Sequence, residues 1–206
     1  MSDDRPMPNA ALRTLFLAIE EVMGANGAKA VLNLAGLQAY IGNYPPNTVD
    51  MEVNFSDYGR AQQAVEDFYG GRGARAMLSQ IGRATFRYSL EEQPAILGLA
   101  GLAMKMLPEK TRIKLILGRM VEAANKNVNL PSHLEEDDEA WYYVADECPC
   151  AFRTRTEKSP ACYTTVGTLQ EALKWATGKH YRVQEVECIS AGGSVCKYRV
   201  DKIAQE

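Results

Sequence analysis

The chain has 206 residues, 46% apolar and 24% charged, with a formal net charge of −3; it is long enough to bury a sizeable core without a staple, as one domain of ordinary size or two small ones. That balance supplies no basic surface, so nucleic acid is not among the expected partners. The polar, acidic start Met1-Ser2-Asp3-Asp4-Arg5-Pro6 lacks the basic flank and apolar run of a secretory signal, which points to the cytoplasm.

In chain order, Leu12, Leu15, Phe16, Ile19, Val22 and Met23 fall at helical spacing and predict a helix over 9–23 that stops at Gly24. A second helix is expected over 28–41, closed by Gly42-Asn43 and Pro45-Pro46, and the alternation of 49–55 reads as a short strand. Ser56 caps a helix to Tyr69, Gly70-Gly71-Arg72-Gly73 breaks it, and another helix follows over 74–88. The apolar stretch 95–107, bracketed by Pro94 and Pro108 and interrupted by Lys105, reads as a buried helix too short to span a bilayer. Ile113, Ile116, Leu117, Met120, Val121 and Ala124 mark the apolar face of the next helix. Residues 127–139, with the acidic run Glu135 to Glu139, read as a solvated connector.

Beyond it the texture turns to strand: 141–144, 151–156, 181–190 and 195–200, interrupted by one helix over 162–177 with Gly178 as its C-cap. The expected class is α+β, a single domain over 1–206 whose mostly helical part (1–126) packs with a small antiparallel sheet (138–203).

All five cysteines, Cys148, Cys150, Cys162, Cys188 and Cys196, lie in this second part, and an odd set in a reducing compartment points to metal or redox chemistry. A tight turn at 191–193 would place Cys188 opposite Cys196 across a hairpin, close enough to share one tetrahedral ion, and Cys162 at a helix start would add a thiolate. Glu185 lies three residues before Cys188, so it can join them only if a β-bulge turns it to the same face. A thiolate from Cys148-Pro149-Cys150 is the alternative fourth ligand, and two buried apolar cysteines at 188 and 196 are the plain one.

The pattern Glu185-x-x-Cys188-x7-Cys196, with Cys162 heading a helix, resembles the signature of the 4-vinyl reductase (4VR) domain family. That family includes a protein of bacteriochlorophyll synthesis, archaeal hydrocarbon-binding proteins and the phenol-sensing domains of NtrC-type activators. The resemblance implies a structural zinc held by Cys162, Glu185, Cys188 and Cys196, a homodimer, and a fold similar to that of vesicle-tethering subunits. It also implies a pocket beside the zinc. Trp141 falls where the sensors place a phenol-gripping tryptophan, whereas the matching histidine position is Ile113, a departure that weakens phenol recognition by that pair. An apolar pocket is expected from Leu99, Leu102, Met106, Ile113, Leu117, Met120, Trp141 and Tyr143.

Three functions follow from these readings. The first is a zinc-stabilised sensor or carrier of an apolar, aromatic or tetrapyrrole-like molecule. The second is an enzyme or accessory in tetrapyrrole vinyl reduction, against which stands the lack of a dinucleotide-binding Gly-x-Gly-x-x-Gly and of an iron–sulfur motif. The third is a protein-interaction module resembling the tethering subunits.

Overall fold

The computed structural model describes residues 4–92, 106–153 and 160–205, so the expected helix over 95–107, with Leu99 and Leu102, lies largely outside the described residues. The first helix, α1 (Asn9–Leu34), buries Leu12, Leu15, Phe16 and Ile19 on one face and is broken at Gly24, whose φ of 73° suits glycine alone. α2 (Phe55–Glu92) is likewise broken at Gly70, with φ of 69°. Both breaks stand where the sequence predicts them. The second half of α1 ends earlier than expected, at Leu34, and a short turn, Gln38–Tyr40, replaces its last part. Of the expected strand over 49–55, only β2 (Val53–Asn54) forms, paired with β1 (Pro6–Met7).

α3 (Glu109–Ala123) buries Ile113, Ile116 and Leu117 and runs into a π-helical turn, Ala124–Val128, closed by Asn129 in the left-handed conformation. The Asn129 side chain accepts from the Arg5 guanidinium and donates to the Pro6 carbonyl, tying the turn to the N-terminal segment. The acidic connector is in part a strand. β3 (Ser132–Glu136) forms the sheet's outer edge, and its exposed carboxylates pair with Lys197, Lys202 and Lys114. An edge strand needs no alternation of apolar residues and gains by being charged, which is why its sequence does not read as strand.

β4 (Ala140–Ala145), β5 (His180–Glu187) and β6 (Cys196–Gln205) complete an antiparallel sheet of order β3-β4-β6-β5. The strand expected over 151–156 does not form. Pro149–Phe152 is a 3₁₀ turn opened by proline, and 154–159 lie outside the described residues. α4 (Tyr163–Thr177) follows and ends at Gly178, in the left-handed conformation with φ of 78°.

The molecule has two cores, one inside the helical half and one between α3, α4 and the sheet. They join where α2 crosses α4 at backbone contact: a Cβ on Gly82 would lie 1.9 Å from the Thr164 carbonyl oxygen, and one on Gly167 would lie 2.0 Å from that of Ser79. Thr168 Oγ1 donates to the Gly82 carbonyl across this crossing. The close approach brings the N-terminus of α4, and with it Cys162, under α2.

Candidate metal centre and adjoining pocket

Three pieces of chain carry the cysteines to one place. The β5–β6 register pairs Glu187 with Lys197, so the next pair inward sets Cys188 opposite Cys196, as the spacing predicts. The loop differs from the expected three-residue turn: Ile189–Ala191 curls into a 3₁₀ turn, and the Ser190 hydroxyl lies 3.2 Å from Cys188 Sγ instead of facing Ser194.

Between Glu185 and Glu187 the register slips by one residue, leaving Val186 as the extra residue of a bulge with its side chain exposed. This is the condition under which Glu185 can share a face with Cys188, and both are buried. Glu185 Oε2 accepts the backbone N–H of Cys162 at 2.8 Å, while Oε1 is buried without a partner. Burial, followed by the charge of Cys188, raises the Glu185 carboxyl to about 8. An orphaned, buried carboxylate oxygen beside thiols is the donor a cation would satisfy.

Cys148 and Cys150 join the same cluster. Their turn lies on α2 at Gly59, where a Cβ would come 2.4 Å from the Pro149 carbonyl oxygen. Arg153, whose side chain is fully buried, pairs with Glu66 at 3.2 Å and donates to the Ala161 carbonyl, so one residue ties α2 to both cysteine-bearing segments.

The sulfurs stand 3.4 Å apart for Cys150–Cys196, 3.8 Å for Cys148–Cys162 and Cys162–Cys188, and 4.0 Å for Cys162–Cys196. Tetrahedral zinc with Zn–S bonds near 2.3 Å sets its sulfurs about 3.8 Å apart, within this range. Two quartets have all ligand atoms within 4.8 Å of one another: Cys162, Glu185, Cys188 and Cys196, and Cys148, Cys150, Cys162 and Cys196. The structure therefore brings the four expected ligands together and adds two cysteines that the spacing leaves undecided.

Beside the cluster lies a cavity of about 230 Å³ between α1, α2, the π turn, β4 and α4. Ala10, Ala11, Thr85, Phe86, Met120 and Leu169 are among its walls, with Tyr58 and Tyr143 on the side of the cysteines. Several of its hydroxyls are spent within their own helices: Thr14 donates to the Ala11 carbonyl, Thr85 to Ile81 and Ser89 to Thr85. Such back-bonding turns the methyl and methylene groups toward the cavity, which makes it more apolar than its composition suggests. Burial raises the Tyr143 phenol to about 12 and is also the main cause holding Tyr58 above its usual value, with Cys148 and Cys162 adding to the rise at Tyr58. The two sites are thus electrostatic neighbours.

Of the residues expected around a ligand, Met120 and Tyr143 line this cavity. Ile113, Leu117 and Trp141 are buried in the adjoining core instead, Trp141 with its indole N–H unpartnered. Met106 is 89% exposed, and Leu102 lies outside the described residues. The walls contributed by α1, α2 and α4 are not legible in the sequence because they are small residues, which leave space only once three helices have packed.

Residues 141–202 match the family model of the 4-vinyl reductase (4VR) domain. The resemblance carried by the glutamate and cysteine spacing holds for this segment, which includes all the cysteines. Curated proteins yield no match to the chain. Among solved structures, an H-NOX protein from K. algicida aligns with a TM-score of 0.61 at 11% identity, over 97% of both chains. A trafficking protein particle complex subunit 3 from Naegleria fowleri, covalently bound to palmitic acid, aligns with 0.54 at 14% identity, over 74% of this chain and 95% of its own. The phenol-responsive sensory domain of the activator PoxR, with phenol, aligns with 0.50 at 12% identity, over 72% of this chain and 74% of its own. At these identities the likeness is one of fold. Among the described residues no helix is long and apolar enough to cross a membrane.

Proposed function

We propose that this chain is a metal-fastened small-molecule-binding domain, a sensor or carrier, that takes an apolar or aromatic ligand in the cavity beside its 4VR segment. The observation that carries the reading is the cavity itself, a space of about 230 Å³ at the junction of the two cores. A dry apolar cavity of about 150 Å³ is enough to hold benzene, so the described walls suit a single ring or a short hydrocarbon better than a tetrapyrrole. Two fold relatives are described with apolar ligands, phenol and palmitic acid, which supports the same class here.

Zinc at Cys162, Glu185, Cys188 and Cys196 would be structural. Four protein ligands leave no open position, and the ion would clamp α4 to the β5–β6 hairpin at one end of the cavity.

Native mass spectrometry of the purified chain, with calorimetric titration of toluene and phenol, tests the ligand reading. Toluene is expected to bind more tightly than phenol, since most wall hydroxyls are already engaged, and Thr165→Phe, which fills the cavity from α4, should abolish binding while the protein stays folded. Absence of co-purified mass together with no binding of either probe would overturn it.

A further inference from the structure

The cysteine cluster contains more donors than one zinc can use. Five buried thiols and one buried carboxylate lie together, and the two tetrahedral quartets they form share two members, Cys162 and Cys196. Two tetrahedral ions that share an edge through two bridging ligands need six ligands in all, and six are present. We propose that the site is a binuclear, thiolate-bridged centre for two divalent thiophilic cations of the zinc type. One ion is held by Cys148, Cys150, Cys162 and Cys196, the other by Cys162, Glu185, Cys188 and Cys196.

Three observations support the second ion. Cys148 and Cys150 are placed by construction rather than by packing chance: Gly59 admits the Pro149 carbonyl at backbone contact, and Arg153 fixes the end of the turn through Glu66 and Ala161. The sulfurs in the additional quartet have the same spacing as those in the first, 3.4 Å for Cys150–Cys196 and 3.8 Å for Cys148–Cys162. Charge also balances. Six anionic ligands around two divalent ions carry the same formal charge as four around one, so the second ion adds no net charge to a buried site. With a single ion, two thiols would remain buried against a thiolate-rich centre with nothing to bind. The Ile189 N–H directed at Cys196 Sγ, at 3.4 Å, suits a sulfur that carries charge.

This inference rests on the metal reading above, and its test separates the two. Metal content per folded chain is counted by native mass spectrometry and elemental analysis for the wild type, for Cys148→Ser with Cys150→Ser, and for Glu185→Gln with Cys188→Ser. Two zinc ions in the wild type and one in each double variant is the expected result. Cobalt replacement gives a second readout: bridging thiolates should couple two Co(II) ions and weaken the wild-type paramagnetic signal, which each double variant should restore as that of an isolated ion. One zinc in the wild type, retained when Cys148 and Cys150 are replaced, would overturn the binuclear centre and leave the single structural ion standing. A protein containing iron and inorganic sulfide would overturn it as well, assigning the cysteines to an iron–sulfur cluster. No metal in freshly reduced wild type would sink both readings.

Discussion

The cysteine cluster and the cavity face each other across the N-terminal turn of α4, and they are built on opposite rules. In the cluster, donors are crowded beyond what packing needs, and Glu185 Oε1 is left buried without a partner. In the cavity, matter is withheld: alanines, threonines and a serine stand where larger side chains would close the space. Crowded donors call for a cation, whereas withheld volume calls for an apolar guest. Stability should therefore respond steeply to changes around the cluster and weakly to changes in the cavity wall.

The largest expected effect lies at Arg153. Replacing it by Met strands Glu66 in the interior and unties α2 from both cysteine segments, a loss of about 3 to 5 kcal/mol by the usual cost of breaking a buried pair. Denaturant unfolding measures it, and Arg153→Met with Glu66→Gln should recover part of the loss. A wild-type midpoint in the single variant would break the contrast.

At the crossing of α2 and α4, Gly167→Ala forces a Cβ against the Ser79 carbonyl and should cost roughly 1 to 3 kcal/mol, toward the upper end because backbone cannot yield as a side chain does. Both sites should suffer together there, ligand affinity falling alongside thermal stability. Gly59→Ala is the sharper probe, since it pushes on the Pro149 turn alone; it should lower metal content while sparing the cavity.

Acid titration gives a smaller, graded effect. Metal requires deprotonated thiolates, so protons compete with it, and metal should be released as the pH falls while binding of a neutral ligand such as toluene changes only after the metal has gone. Spectroscopic zinc release and toluene titration over the same pH series test the order. Loss of toluene binding before zinc release would show that the two sites are not distinct.

The cluster is far more legible in the sequence than the cavity. Ligand identity is a matter of residue type and spacing, and Glu185, Cys188 and Cys196 sit on one hairpin, so even the need for a bulge follows from strand alternation. Cys148 and Cys150 escape assignment because their place depends on a 3₁₀ turn seated on Gly59, a contact distant in sequence. The cavity escapes for a different reason. Large apolar residues such as Ile113 and Leu117 draw attention in a sequence, yet they fill space, and a void is lined by the small residues left between packed helices. The glycine breaks at 24 and 70 are readable, because only glycine accepts those backbone angles; the charged edge strand β3 is not, because its sequence is that of a solvated loop.

One measurement reaches both sites at once: anomalous diffraction from a crystal of the metal-loaded chain equilibrated with xenon, an apolar atom that enters dry cavities. The account predicts a metal peak among Cys162, Glu185, Cys188 and Cys196 and a xenon peak beside Phe86 and Leu169. A cysteine cluster without a metal peak, or a cavity that takes no xenon, would contradict it.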